Sequence, residues 1–399
     1  MFQQNFFRLT ASHPIFTPEN VDMADRSKHR LFLSVFYFLS GFAFASWASR
    51  IPTIKANFGF TDAELGTILL FMPISSMIGL PLSGWMVSKY DSRVPLAAAF
   101  VMLGFATLLI GFSFTTPMLV FSICFFSFAL RMLNISMNTQ ALTLQKMYTK
   151  RINGSFHGLW STGGIFGVAV STLLVALNVP MNYHLLMVSV AVFGVTAYSH
   201  RHLIRNDRAP AGNKFKLGKP DPMIVSLGLL LFFACICEGG MFDWSGIYFK
   251  EVVSVEIFTW GYLMFMVCMA ISRFASDSVI ERIGMQNTFV LSASFIIVGI
   301  GTAVIFPTFW PSLIGFCLVG FGTASIIPMV YLLAGTSKKY SPGIVISIIA
   351  TYGIVGMLIG PPLIGYLSHV FSLRLAFIAF ALSGLMLIPF SRAVFRQQA

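Results

Sequence analysis

Glu238 and Asp243 sit inside an otherwise apolar run, CICEGGMFDWSGIYFK, and Arg131 sits inside another, FSFALRMLNISMN. A carboxyl group held away from bulk water can take up and release a proton, because low dielectric favours its neutral form and a neighbouring cation favours the carboxylate. A guanidinium in the same setting can hold an anionic or polar group through paired hydrogen bonds. Either charge at the middle of a bilayer costs about 2.5 to 3.5 kcal/mol, so each is expected to face a partner or a wet cavity.

The apolar segment around the two acids runs from 222 to 250. At 1.5 Å per residue Glu238 lies about 3 Å from its midpoint and Asp243 about 7 Å nearer one end. Five residues turn an ideal helix by about 140°, so the acids share a face only if Gly239 and Gly240 loosen the turn. Otherwise Asp243 serves helix ends near that side. Arg131 marks the middle of a segment from 117 to 145, in which Ser127, Arg131, Asn134, Asn138 and Gln145 recur at helical spacing. That stripe is too polar to face lipid.

Aromatic and imidazole side chains join these as candidates. Tyr37, with Ser40, Phe44 and Trp47, follows one helical face, and Trp160 shares another with His157, Ser161 and Gly164. Rings with a polar tip, including Trp244 beside Asp243, suit an amphipathic ligand as well as they suit packing. His157 can relay protons. Arg273 and Asp277, spaced i, i+4, are expected to pair with each other.

The elements that must position these groups follow from composition. The 399 residues are 56% hydrophobic and 10% charged, with a mean hydropathy of +0.81. Such a balance excludes an ordinary soluble enzyme and points to a lipid bilayer as solvent. Apolar runs long enough to span it begin near 31, 65, 94, 117, 154, 182, 222, 259, 286, 310, 343 and 372, which gives twelve helices. Most Lys and Arg fall at the chain ends and in the loops after every second helix. Only Arg50, Lys55, Lys250 and Arg374 lie on the opposite side. Both termini are therefore expected in the cytoplasm, and the net charge of +12 needs no nucleic-acid partner. The five cysteines read as buried apolar residues, without a disulfide or metal pattern. No removable signal peptide is expected, and Met23 is an alternative start.

The longest hydrophilic connection, SHRHLIRNDRAPAGNKFKLGKPDP, divides the chain into halves whose helix starts repeat at an offset of roughly 190 residues, as a parallel duplication does. The expected organisation is a cytoplasmic arm over 1–30, a six-helix bundle over 31–200, a cytoplasmic linker over 201–221, a second bundle over 222–391 and a tail over 392–399. The fold class is thus all-α, with twelve transmembrane helices in two parallel six-helix bundles.

Twelve helices in two such halves around a basic loop resemble the major facilitator superfamily of transporters. The loop after helix 2, GWMVSKYDSR, is similar to that superfamily's G-x-L-A-D-R-x-G-R-R pattern at Gly84, Lys89 and Arg93, with Ser88 at the acidic position and Asp91 at the second glycine. The corresponding SRFASDSVIERIG keeps Asp277, Arg282 and Gly284, and with Arg273 these look like gating elements. WASRIPTIKANFGFTDAELG and EGGMFDWSGIYFKE resemble a bacterial subgroup allied to fucose permeases. The chain departs from the sugar symporters of that alliance in having no acid in helix 1 and an arginine in helix 4.

The resemblance implies that helices 1, 4, 7 and 10 surround a central pathway, which would bring Arg131 to Glu238. The functional expectation is a secondary active transporter of a small polar or anionic organic solute. It works by alternating access with proton symport, as a monomer without metal or cofactor, in the bacterial cytoplasmic membrane. Glu238 and Asp243 are expected to couple protons. Arg131, Asn134, Asn138, Tyr37, Trp160 and Trp244 are expected to bind solute, with Arg131 and Glu238 as a static ion pair the alternative. Proton-antiport efflux of amphipathic compounds and a non-transporting sensor or scaffold are the other readings. The helix 5 segment GSFHGLWSTGGIFGVAV lacks the proline usual in drug antiporters, and the chain lacks a soluble readout domain.

Overall fold

The computed structural model describes residues 23–148, 152–205, 207, 221–336 and 342–398. Most of the expected N-terminal arm and of the central linker lies outside these residues. The helices are α1 Met23–Ala48, α2 Ile51–Phe58, α3 Asp62–Lys89, α4 Arg93–Gly111, α5 Thr116–Gln145, α6 Asn153–Ala176 and α7 Met181–Ser199 in the first half. In the second they are α8 Pro222–Glu251, α9 Trp260–Ile283, α10 Met285–Ile305, α11 Phe309–Thr323, α12 Ile326–Ala334, α13 Pro342–Val370, α14 Leu373–Ala376 and α15 Ile378–Gln398. Three expected spans are each made of two helices, α1 with α2, α11 with α12 and α14 with α15. Among the described residues eleven segments are long and apolar enough to cross a bilayer. In the twelfth, α9, the described apolar stretch is Trp260–Ser276, with Arg273 inside it.

Local chemistry fixes the starts. Thr61 Oγ1 accepts from the Glu64 amide at 3.2 Å, and Glu64 Oε2 accepts from the Thr61 amide at 2.9 Å, a reciprocal cap that begins α3. Asp221 accepts from the Met223 amide at 3.1 Å, and Pro222 opens α8 where its missing N–H costs nothing. Helix α1 begins earlier than the apolar pattern indicates. The polar turn before residue 31 is helical, tied by Arg26 Nη1 to the Met147 carbonyl at 3.2 Å and by His29 Nδ1 to the His202 carbonyl at 2.6 Å.

Within the first bundle α1 lies along α6 backbone to backbone. A Cβ on Gly41 would stand 2.0 Å from the Trp160 carbonyl oxygen, and one on Gly163 would stand 2.0 Å from that of Phe38. Small residues permit this approach where no hydrophobic drive between helices exists in lipid. Helix α8 packs on α13 and α15 in the second bundle, while α3 meets α13 and α6 meets α9 along the seam between bundles. Helix α8 runs unbroken through Gly239 and Gly240, so the loosened turn that would align Glu238 with Asp243 is not formed. Gly240 instead admits the Phe380 ring, whose edge a Cβ would meet at 2.3 Å.

Twelve alternating spans leave the first and last described residues, Met23 and Gln398, on one face, here called the termini face, and place Lys55, Asp62, Glu251 and Ser368 on the far face.

Candidate functional site

Glu238 and Arg273 face each other from neighbouring helices of the second bundle. Arg273 Nη2 donates to Glu238 Oε1 at 3.1 Å, with 8% of the glutamate side chain and 30% of the arginine side chain exposed. The same guanidinium donates from Nη1 to Ser161 Oγ of α6 at 3.0 Å, across the seam. Glu238 Oε2 and Arg273 Nε are buried and make no further hydrogen bond among the described residues. The structure therefore corrects one expected pairing. The cation at Glu238 is Arg273 rather than Arg131, and Arg273 reaches toward α8 and α6; the side chain of Asp277, its expected i+4 partner, falls outside the described residues.

From Ser161 a polar path continues through the first bundle. His157, one turn away on α6, lies in the electrostatic field of Arg273 and sets its ring edge-on to Tyr37 at 5.8 Å. The Tyr37 hydroxyl donates to Asn138 Oδ1 at 2.8 Å, and Asn138 Nδ2 donates to Asn134 Oδ1 at 3.2 Å. Asn134, Asn138, Tyr37, His157, Arg273 and Glu238 thus form one trail of polar groups over α5, α1, α6, α9 and α8. Arg131 stands apart on the edge of α5 that faces α3. Its Nε donates to Ser76 Oγ at 2.6 Å, and Ser127 likewise binds the Met72 carbonyl at 2.6 Å. The polar stripe of α5 therefore serves two neighbours, because it winds from the α3 side to the α1 side.

Aromatic rings stand beside this trail. Phe44 contacts Trp160 at 6.0 Å and meets Phe242 of the second bundle edge-on at 5.7 Å. Trp160 keeps some accessible surface, whereas Trp244 is fully enclosed by packing. Trp244 is therefore placed off the accessible wall, since one residue turns a helix by 100° and carries it away from the face of Asp243. Asp243 retains accessible surface and lies close to the buried Tyr262.

Cross-bundle hydrogen bonds cluster at the far face. Lys55 Nζ donates to Glu251 Oε1 and Oε2 at 2.5 and 2.7 Å and also to Asp62, which accepts from the Ser368 hydroxyl. Lys250 donates to the Pro52 carbonyl at 3.1 Å, and the hydroxyls of Thr67 and Tyr366 lie 3.0 Å apart. Opposite charges join α2, α3 and α8 here, and the Ser368 and Tyr366 hydroxyls add α13.

On the termini face, Lys89 lies over the Trp85 ring at 4.8 Å, Arg93 is 4.0 Å from Asp91, and Arg282 is exposed. A Cβ on Gly84 would meet nothing within 4 Å among the described residues. Ser92, beside the motif arginine, receives the linker instead. Asp207 accepts from the Ser92 amide at 2.9 Å and from its hydroxyl, while Gln140 Nε2 donates to Ser92 Oγ at 2.7 Å and to the Ile204 carbonyl at 2.9 Å.

Sequence reasoning overlooked Ser161 and Ser76 as partners of the interior arginines, and it overlooked the Lys55 cluster. A signal existed for Arg273, because it shares with Arg131 the distinction of a cation inside a predicted span. The Lys55 cluster joins positions hundreds of residues apart and left no local pattern.

A family model described as the Major Facilitator Superfamily matches residues 33–299 and 252–398. An uncharacterised MFS-type transporter of Yersinia pestis is 28% identical over 364 residues, covering 90% of this chain and 94% of the relative. The membrane protein MosC of Rhizobium meliloti is 28% identical over 341 residues, covering 84% of this chain and 82% of its own. A solved bacterial homologue of the human lysosomal transporter Spinster superposes with a TM-score of 0.73 at 12% identity, covering 94% of this chain and 99% of that one.

Proposed function

This chain belongs to the major facilitator superfamily, and from that premise we propose that it carries a small polar or anionic organic solute by alternating access, coupled to proton symport through Glu238 and Arg273. It is a multi-pass membrane transporter and not an enzyme. The observation that carries the coupling is the single guanidinium shared between Glu238 of one bundle and Ser161 of the other.

An ionised Glu238 holds Arg273 by a charge-assisted bond. A proton on Glu238 removes that attraction and frees the guanidinium for an anionic or hydroxylated solute, so solute and proton enter together. Asn134, Asn138, Tyr37 and Trp160 supply the remaining hydrogen-bonding and stacking surface in this reading, while Arg131, turned to Ser76, stands apart from it. Asp243 forms a second protonatable group nearer the far face, and His157 a relay between Tyr37 and Arg273. The sealed far face supports assigning this conformation to the state that opens toward the termini. Bacterial relatives and the distribution of lysine and arginine support a cytoplasmic membrane location with cytoplasmic ends.

The aromatic group Phe44, Trp160 and Phe242 favours the alternative of amphipathic efflux. Uptake by proteoliposomes from a panel of organic acids and polyols, with and without an imposed pH gradient, separates the two. Symport predicts accumulation driven by protons moving in the same direction, with Glu238→Gln retaining exchange but losing the response to the gradient. Accumulation driven by opposed proton movement would establish antiport, and an unchanged pH response in Glu238→Gln would remove this residue from coupling.

A further inference from the structure

Helix α15 carries an open groove of about 370 Å³ whose walls include Leu385, Met386, Pro389, Arg392 and Arg396. None of these residues belongs to the polar trail between the bundles. Pro389 lies inside the helix. Lacking an N–H, it leaves the Leu385 carbonyl without its usual helical donor and opens the helix surface at that turn.

Depth places the groove at the membrane boundary. The span Leu373–Gln397 starts at the far face, so Arg392 lies about 28 Å and Arg396 about 34 Å along it. A hydrocarbon core of about 30 Å ends between them. Leu385 is 44% exposed toward that core, and both arginines are exposed one helical turn apart. Arg50, Arg131, Arg273 and Arg374 each donate to a carbonyl or a side chain. Arg392 and Arg396, by contrast, make no hydrogen bond or ion pair among the described residues.

We infer that this groove binds one anionic phospholipid, with an acyl chain along Leu385, Met386 and Pro389 and the phosphate between the guanidinium groups of Arg392 and Arg396. Guanidinium groups match phosphate oxygens through paired donors. A zwitterionic headgroup would bring its own cation against the two arginines, which disfavours it. A soluble phosphate ester would leave the apolar half of the groove unfilled.

Native mass spectrometry of the full chain, delipidated in detergent and titrated with dioleoyl phosphatidylglycerol or dioleoyl phosphatidylcholine, tests the assignment. The wild type is expected to take one phosphatidylglycerol at least tenfold more tightly than phosphatidylcholine. Arg392→Gln combined with Arg396→Gln should abolish that preference, while Arg201→Gln, another arginine of the termini face, should keep it. Leu385→Trp, which fills the apolar part and leaves both charges, should weaken phosphatidylglycerol binding by a similar factor and decides the matter if the double variant does not fold. Unchanged phosphatidylglycerol binding in Leu385→Trp or in a folded double variant would overturn the site. Displacement of the bound lipid by glycerol 3-phosphate at equal concentration would show a site for soluble anions and overturn it equally.

Discussion

Arg273 divides one guanidinium between two bundles, donating to Glu238 Oε1 at 3.1 Å on its own side of the seam and to Ser161 Oγ at 3.0 Å on the other. A rocking motion that parts α6 from α9 must break the second bond and spare the first. The charge state of Glu238 decides how firmly Arg273 is held when that happens. Proton occupancy and bundle separation therefore act on the same side chain.

Removing the cation leaves Glu238 in a place where its charge has no compensation. Arg273→Gln is expected to lose transport at least tenfold and to destabilise the protein by about 3 kcal/mol, the lower end for a broken buried pair because the arginine is partly exposed. Adding Glu238→Gln to that variant should recover much of the stability without recovering transport. Thermal unfolding of the two variants beside wild type measures this, and equal melting temperatures for the single and double variants would contradict it.

The Lys55 cluster should hold the far face shut. Lys55→Gln leaves Glu251 and Asp62 without their shared cation, and the two carboxylates then repel across the seam. With Thr67→Cys as reporter in a background lacking the five native cysteines, labelling by an impermeant maleimide from the far side is expected to rise several-fold in Lys55→Gln. Unaltered labelling would mean that packing of α3 against α13 closes this face without help from charge.

Much of the architecture was legible because helix ends obey local chemistry. The sequence places starts near 65, 117 and 222, and the structure has Asp62, Thr116 and Pro222, each preceded by a residue suited to capping. The turn from Met23 was not legible, since its polar residues resemble a tail until Arg26 finds the Met147 carbonyl. Depth along a helix was readable from residue counts, which correctly set Glu238 deep within its span. Azimuth was not, because the rotation of α5 against α8 depends on every helix packed between them. Arg131 consequently looked like the partner of Glu238 and instead turned to Ser76.

Close approach of α1 to α6 should be far more sensitive to substitution than the motif glycine of the first loop. Gly41→Ala drives a methyl group into the Trp160 carbonyl at 2.0 Å, a backbone contact that no rotamer relieves. A loss of about 1 to 3 kcal/mol, as for other overpacked sites, is expected together with reduced yield. Gly84→Ala meets nothing within 4 Å among the described residues and should leave stability unchanged within about 0.5 kcal/mol. Fluorescence-detected size-exclusion chromatography across a temperature series ranks the two, and equal tolerance would argue against the backbone contact.

The linker residue Asp207 offers a pH test with a definite sign. Burial raises its carboxyl above the usual 3.8, hydrogen bonds from Ser92 oppose that rise, and the charge of Asp91 adds to it. Arg93, next to Ser92 and 4.0 Å from Asp91, is the charged neighbour of opposite sign on that loop. Since the folded state binds the proton more tightly than the unfolded chain, this group's contribution is complete below 3.8. It then declines as pH rises toward the raised value, by about 1.4 kcal/mol for each unit of displacement, and stays constant above it. Asp207→Asn keeps an acceptor for the Ser92 amide and removes the titration. The melting temperature of wild type relative to Asp207→Asn should therefore rise as pH is lowered from neutrality through the weakly acidic range. Parallel curves for the two proteins would show that Asp207 is solvated in solution and that the linker does not dock on Ser92.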